Sequence, residues 1–170
     1  RSLLWGYQYP AFRPTVNRYR TTTSFPNIGD RWVDGSATVA QGVVVLTPVE
    51  AGQLHCLDIL SGRPRWSPIE RDGMLFVGGV FDGLIFLVGT ERCRAIRLSD
   101  GKREWNEDIE LGSARPSGRG FLTGQFYFLP TTSAELLKID IKTGQVVQTT
   151  KTVQPLGNLV SYNNQIISDH

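Results

Sequence analysis

The chain has 170 residues, of which 40% are hydrophobic and 20% are charged, so it can bury a core and is not expected to be disordered. Its formal charge of +2 is too balanced to indicate nucleic-acid binding, and no nucleic-acid partner is expected. No apolar run approaches the roughly 20 residues of a membrane-spanning helix, so no membrane-spanning segment is expected. Two cysteines and two histidines are too few for a disulfide scaffold or a histidine-based metal site.

The N-terminal part, residues 1–28, differs in composition from the rest of the chain. Trp5, in Leu3-Leu4-Trp5-Gly6-Tyr7, is typical of the end of a preceding repeat's last strand. Residues 8–29 then carry three arginines, three prolines and no acid, which predicts a linker or an inserted loop.

An internal repeat of about forty residues organises the rest of the chain. Gly62, Gly101 and Gly144 occupy the same point of three similar segments and lie 39 and 43 residues apart. A second marker, a short apolar run after a turn, recurs in step with spacings of 41, 41 and 40 residues. Its starting residues are Gly42, Gly83, Gly124 and Asn164.

Each repeat contains material for four short strands joined by turns that hold glycine or small polar residues. In the third repeat these strands are predicted at about 118–122, 125–130, 135–141 and 145–150. The second strand of each repeat is apolar at consecutive positions, which predicts a sheet covered on both faces. These runs are Val43 to Leu46, Leu84 to Val88 and Phe126 to Leu129.

Four-stranded antiparallel sheets of 40–45 residues that stack face to face in series are the blades of a β-propeller. The sequence therefore predicts an all-β partial propeller with about three full blades and a part-blade at each end. Its propeller repeats fill residues 29–170, with boundaries near 29–73, 74–115 and 116–156 and a partial repeat at 157–170. Such an arc leaves apolar faces open at both ends, which other parts of a longer parent chain, a second copy, or residues 1–28 could cover.

The segment between third and fourth strands resembles the tryptophan-docking motif of quinoprotein-type propellers, Ala-x-Asp-x-x-Thr-Gly-x-x-x-Trp. The first repeat matches it with Asp58, Ser61, Gly62 and Trp66. The other two match in part, the second with Ala95, Gly101 and Trp105, and the third with Asp140, Thr143 and Gly144. The resemblance implies that Trp66 and Trp105 pack between blades, whereas Gln148, which replaces the third tryptophan, is more exposed.

Several other residues are candidates for chemistry, and each has a structural interpretation that we favour. Asp58 and Asp140 are expected to hydrogen-bond their turns and not to act as acids. His55 is predicted to be a strand histidine. The pair Arg115 and Arg119, next to an innermost strand, are the only candidates for a ligand-binding surface.

A glycine-containing segment and the two cysteines are further candidates for chemistry. Gly118-Arg119-Gly120 lacks a following helix, so it predicts a bend at a strand edge and not a phosphate loop. Cys56 and Cys93 are expected to be free thiols on the same face of their respective blades. No catalytic residue and no metal ligand is predicted, and no cofactor-binding residue can be assigned.

Two functions are compatible with the resemblance. The first is a noncatalytic scaffold or protein-binding propeller, similar to the quinoprotein-like subunit of bacterial outer-membrane assembly machinery, with no cofactor and a periplasmic or otherwise extracytoplasmic location. The second is a fragment of a pyrroloquinoline-quinone (PQQ) dehydrogenase with Ca²⁺, whose cofactor site lies in blades outside this chain. The first is favoured because the acids are scattered one per turn and suggest no Ca²⁺ cage.

Overall fold

The computed structural model describes residues 3–10, 35–49, 51–163 and 165–169, and within these ranges it contains strands and turns but no helix. Consequently no helix in this part of the chain is long and apolar enough to cross a membrane. Three consecutive sheets are four-stranded, and a two-stranded sheet follows them. The prediction of an all-β partial propeller is confirmed.

The strands follow one another along the chain, and every neighbouring pair is antiparallel. The first sheet contains β1 (Thr38–Ala40), β2 (Val43–Leu46), β3 (Gln53–Asp58) and β4 (Ile69–Glu70). The second sheet contains β5 (Met74–Phe81), β6 (Leu84–Gly89), β7 (Arg92–Arg97) and β8 (Ile109–Glu110). The third sheet contains β9 (Phe121–Thr123), β10 (Phe126–Thr131), β11 (Glu135–Asp140) and β12 (Gln145–Lys151). The C-terminal hairpin contains β13 (Leu159–Tyr162) and β14 (Gln165–Ser168).

Tight turns between first and second strands fix this register. In the second sheet Asp82 and Gly83 have φ angles of 48° and 77°, and Gln41 and Gly42 in the first sheet have 48° and 75°. Two successive residues with positive φ form a turn whose own twist matches the right-handed twist of the strands that it joins. We call the end of the molecule that carries these turns the turn end; the turns that follow the third strands lie there too, since Leu98 N–H bonds the Gly83 carbonyl.

Burial of the second strands shows which sheets have complete neighbours. β6 is buried at all six positions, because the first sheet covers one face and the third sheet covers the other. In β2 and β10, by contrast, fully buried side chains alternate with half-buried ones over most of the strand. The predicted coverage of both faces is therefore confirmed for the second sheet only, since the first and third sheets each have an incomplete neighbour.

Two apolar clusters between successive sheets form the core. The first-to-second cluster includes Val43, Val45 and Cys56 of the first sheet, packed on Ile85 and other residues of the second. The second-to-third cluster is made by residues of both sheets, Phe76, Phe86, Cys93, Tyr127, Leu129 and Ile139 among them. Each cysteine therefore faces the sheet that follows its own. Both thiols are free, as predicted, and both are buried.

The described part of the N-terminal segment, residues 3–10, lies against the first sheet. The Trp5 indole donates a hydrogen bond to the Ile59 carbonyl at 2.9 Å, and the Tyr7 hydroxyl lies 3.0 Å from Nδ1 of His55. This segment therefore occupies the place that a preceding repeat's outer strand would take. The predicted linker at residues 8–29 lies outside the described residues from residue 11 onward.

Candidate functional site

In each of the first two repeats, a tryptophan contacts a glycine of the next sheet. An ideal Cβ on Gly101 would lie 2.8 Å from the Trp66 ring, and one on Gly144 would lie 2.7 Å from the Trp105 ring. Trp5 approaches Gly62 in the same way. Only glycine leaves room for an indole at this distance.

A hydrogen bond accompanies each contact, because the indole N–H is a donor that must be satisfied when it is part-buried. Trp66 Nε1 donates to the Leu98 carbonyl at 3.2 Å, and Trp105 Nε1 donates to the Ile141 carbonyl at 3.1 Å. Both indoles are half-buried between sheets, whereas Gln148 is exposed, as predicted. The contacts of Trp66 and Trp105 each join two successive sheets.

The aspartates of the motif hold its turn. Asp58 Oδ1 accepts hydrogen bonds from the backbone N–H and the hydroxyl of Ser61, both at 2.9 Å, and these bonds hold the pKa of Asp58 below its ordinary value. Asp140 Oδ1 accepts a bond from the Lys142 N–H at 2.9 Å. The interpretation of Asp58 and Asp140 as turn-binding residues is confirmed.

The second repeat builds the same turn with a base in place of the motif's aspartate and an acid in place of its threonine. Arg97 replaces the motif's aspartate, and its Nη2 lies 2.9 Å from Asp100 Oδ2. Asp100 in turn accepts the Lys102 N–H at 3.0 Å. The hydrogen bond from Arg97 lowers the pKa of Asp100. The second repeat departs from the motif, but a carboxylate still binds the backbone of its turn.

An open groove of about 480 Å³ lies at the turn end, between the first and second sheets. Its lining carries charges of both signs, since it includes the bases Arg65 and Arg97 and the acids Asp82 and Glu104. The complete lining is Gln41, Arg65, Asp82, Gly83, Leu84, Arg97, Leu98, Ser99 and Glu104. We call it the turn-end groove.

The turn-end groove has a fixed wall. Arg97 is held by Asp100, by Glu104 at 3.5 Å and by the Arg103 carbonyl at 2.9 Å. The Gln41 side chain accepts the Gly83 N–H at 3.0 Å and so ties the two turns together. The groove is not visible in the sequence, because its residues come from turns about forty positions apart.

A buried ion-pair network stabilises the second sheet. Arg94 Nη2 contacts Asp108 Oδ2 at 2.6 Å and Asp72 Oδ2 at 3.0 Å, while its Nε lies 2.9 Å from Asp108 Oδ1. Burial alone would raise the pKa of Asp108, but the Arg94 hydrogen bond and the charges of Arg94, Arg103 and Arg92 outweigh it and lower the pKa. The signal in the sequence is that Arg92 and Arg94 occupy alternate positions of β7 and so lie on the same face of the sheet.

A second buried arginine joins the first two sheets through backbone carbonyls. Arg71 donates to the carbonyls of Met74, at 2.5 Å, Thr47, at 2.9 Å, and Leu75. Burial lowers the pKa of Arg71 to about 10. The guanidinium therefore remains charged at neutral pH. Its hydrogen bonds connect the first sheet's Thr47 to the start of the second sheet.

The two arginines predicted as ligand candidates have different surroundings. Arg119 donates to the Val77 carbonyl at 3.2 Å, and its guanidinium lies 5.2 Å from the Phe76 ring centre, so it bridges the second and third sheets. Arg115 is exposed and pairs with Glu91 at 3.5 Å. Arg115 is therefore exposed, whereas Arg119 is half-buried.

His55 and the cysteines are shielded from solvent. His55 lies in β3, as predicted, and burial lowers its pKa; its Nε2 has no hydrogen-bond partner. Burial raises the pKa of Cys56 to about 11 and that of Cys93 still further. Both thiols are therefore protonated at neutral pH and unreactive.

The carboxylates that the structure describes do not form the Ca²⁺ cage that PQQ chemistry requires in quinoprotein enzymes. Asp58, Asp100 and Asp140 are bound to turns, while Asp72 and Asp108 are bound to arginines. Within the described ranges, no three histidine, cysteine or acidic side chains lie close enough to hold a metal ion. These residues do not fit the cofactor.

Comparison with known proteins places the chain in a family. The sequence pattern of the family described as outer membrane protein assembly factor BamB matches residues 5–161. The chain belongs to this family. No curated protein matches the chain.

Solved structures agree on the fold. BamB from Moraxella catarrhalis superposes with a TM-score of 0.64 at 15% identity, over 79% of this chain and 42% of that one. The computationally designed Ika4 protein gives 0.60 at 13% identity, over 83% and 87% of the two chains. Quinohemoprotein alcohol dehydrogenase ADHIIG from Pseudomonas putida HK5 gives 0.54 at 19%, over 75% and 21%. The chain thus spans less than half the length of the BamB structure that it resembles.

Proposed function

We propose that this BamB-family chain is a noncatalytic propeller scaffold that binds a protein partner during outer-membrane protein assembly, in the periplasm or another extracytoplasmic compartment. The turn-end groove carries the proposal. It is open to solvent, has a wall fixed by ion pairs, and presents Arg65, Arg97, Asp82 and Glu104 together.

The shape and charge of the groove favour a protein over a small molecule. Small-molecule sites enclose most of their ligand and are lined mainly by apolar side chains, with few polar groups. The turn-end groove instead mixes charges of both signs, which suits the polar rim of a transient protein interface. Because Arg97 is already held by Asp100 and Glu104, it loses little freedom when a partner binds.

A photo-cross-linking residue in place of Ser99 tests the proposal in Gram-negative cells that produce the protein. Ser99 lines the turn-end groove, and the matched control is the exposed Ser113, which lies outside it. We expect Ser99 to cross-link a component or a client of the outer-membrane assembly machinery, identified by mass spectrometry, and Ser113 to give at most about a tenth of that yield.

A charge reversal shows whether the groove itself recognises the partner. Arg65→Glu should lower the cross-linking yield at Ser99 at least about fivefold, because a groove cation becomes an acid. Arg63→Glu, an exposed change outside the groove lining, should leave the yield unaltered. Equal yields from Ser99 and Ser113, or no effect of Arg65→Glu, would contradict the proposal.

The second candidate function is a fragment of a PQQ-dependent dehydrogenase, which the similarity to quinohemoprotein alcohol dehydrogenase supports. Thermal unfolding of the whole parent protein with and without PQQ and Ca²⁺ distinguishes the two, because under the second function the cofactor site lies in blades outside these 170 residues. We expect no change of the midpoint, since a ligand that binds only the folded state would raise it in proportion to its affinity. A concentration-dependent rise would favour the dehydrogenase.

A further inference from the structure

The outer strand of the third sheet is longer than its counterparts in the other two sheets. β4 and β8 are two residues long, whereas β12 has seven residues, all of them exposed. In the first two sheets the chain leaves the ladder near Trp66 and Trp105, whose indoles bond the next sheet. Gln148 takes the place of the tryptophan in the third repeat and pairs with Lys138, so the strand continues to Lys151.

β12 is the edge of its sheet, and part of its backbone points outward. Just past the strand, the Thr152 N–H bonds the Ala134 carbonyl at 2.8 Å, on the β11 side. Backbone groups alternate in an antiparallel ladder, so the N–H and C=O of Thr149 and Lys151 point away from β11. β12 is last in the strand order, so no strand of the described chain pairs with these groups.

The accessibility of this edge does not depend on how many sheets the protein has. Successive sheets of the chain stack on each other's faces, with the two core clusters between them. The β12 edge lies in the plane of the third sheet, on the side opposite β9. A further sheet that stacks on either face therefore leaves the edge accessible.

β12 also has few of the features by which proteins prevent pairing at an edge, which are short strands, prolines and charges. Residues 145–150 include no proline and no charged side chain, and Lys151 at the end is the only charge of the strand. The register shifts between Lys138 and Ile139, near the start of the strand, so the ladder is regular from Gln148 to Lys151. Valine and threonine, which favour strands, make up four of its seven residues.

The two faces of β12 differ in polarity. Leu137 and Ile139 of β11 pack towards the second sheet, so their cross-strand partners Thr149 and Val146 lie on that face. Gln148, the partner of Lys138, lies on the other face. A strand added to this edge would have aliphatic groups beside one of its faces and an amide beside the other.

We propose that the β12 edge binds an extended polypeptide segment of another protein, which adds to the third sheet as a fifth strand. The segment has alternating apolar and polar residues, with the apolar ones beside Val146 and Thr149 and the polar ones beside Gln148. An extended backbone offers N–H and C=O groups at the spacing of the outward groups of β12. No residue of β12 lines the turn-end groove, so this inference does not depend on the proposed function.

Amide hydrogen exchange, followed by NMR, tests the proposal on the unaltered protein. In the protein alone, the N–H groups of Thr149 and Lys151 should exchange at least about tenfold faster than that of Thr150, which points to β11. The probe is a labelled peptide of about eight residues in which valine and threonine alternate, with a lysine at each end. At saturation it should slow exchange at Thr149 and Lys151 at least about tenfold. A peptide of the same composition with the valines and threonines in separate blocks should bind at least about fivefold more weakly.

Two variants of one position show whether the backbone edge carries the binding. Thr149→Pro removes an outward N–H and places a ring on the edge, but it removes no donor to β11. It should weaken peptide binding, measured by fluorescence anisotropy, at least about tenfold, whereas Thr149→Val, which keeps the N–H, should change it less than about twofold. Thermal midpoints close to that of the wild type would verify that both variants are folded.

Three results would overturn the proposal. Slow exchange at Thr149 and Lys151 in the protein alone would mean that another part of its own chain covers the edge. Exchange that is unchanged by the alternating peptide at about 1 mM would mean that no strand is added. Equal binding by folded Thr149→Pro and by the wild type would mean that the peptide binds elsewhere.

Discussion

The Trp66 ring lies so close to Gly101 of the following sheet that a Cβ on this glycine would be 2.8 Å from the ring. The same indole donates a hydrogen bond to Leu98, three residues before Gly101. One glycine thus has two tasks: it provides the positive φ of its turn, 72°, and the flat surface that receives the indole. The two tasks can be separated by experiment.

Gly101→Ala should destabilise the protein by about 3 kcal/mol or more, because the strain of a left-handed alanine adds to a clash with the indole. Gly83→Ala is the control: Gly83 also has a positive φ, 77°, but nothing lies within 4 Å of its Cβ position. It should cost only about 1–2 kcal/mol. Urea unfolding of both variants measures the difference, and equal losses would show that the indole contact carries no stability.

Trp105→Ala should lower the free energy of unfolding by about 3 kcal/mol, since it removes a large aromatic side chain and its bond to the Ile141 carbonyl. Trp105→Phe should recover part of this loss. Gln148→Ala, at the equivalent position of the next repeat, should change stability by less than about 0.5 kcal/mol because Gln148 is exposed. A Trp105→Ala loss as small as that of Gln148→Ala would contradict the inter-sheet role.

Asp108→Asn should cost about 3–5 kcal/mol at pH 7, because it leaves the buried Arg94 charge without its closest partner. Glu91→Gln, which breaks the exposed pair with Arg115, should cost less than about 1 kcal/mol. Chemical unfolding of the two variants compares a buried pair with an exposed one. Similar losses would mean that the Arg94 network is solvated.

At low pH the wild type and Asp108→Asn should have the same free energy of unfolding. The folded-state pKa of Asp108 is lowered, so its contribution is complete above the unfolded-state pKa of about 3.9 and is lost as the pH falls through the folded value. Unfolding curves at pH 7 and at successively lower pH values below 4 should therefore converge. A constant difference at all these pH values would show that folding does not change the pKa of Asp108.

His55 should make stability depend on pH in a higher range. Burial lowers its folded-state pKa, so the unfolded chain binds a proton more readily and stability falls as the pH drops below about 6.5. His55→Phe should remove this slope, whereas His170→Gln, which changes the chain's other histidine, should keep it. Unfolding free energies at pH 7, 6 and 5 provide the measurement, and a slope that persists in His55→Phe would refute it.

The sequence alone determined the repeat, its turns and the residues that serve them. Tight turns and the caps made by Asp58 and Asp140 depend on φ angles and hydrogen bonds within a few residues, which sequence spacing encodes directly. The period of the repeat also predicted that Trp66 packs between two sheets, because equivalent positions of successive blades face their neighbours in the same way.

Only the tertiary structure decided which surfaces are open and which charges are buried. The apolar runs of β2 and β10 resemble that of β6, yet only β6 is covered on both faces, since coverage depends on the number of neighbouring sheets. The Arg94–Asp108 network and the turn-end groove join side chains from different strands and turns. Their energies come from burial and charge at short distance, which depend on how the sheets stack and not on local sequence.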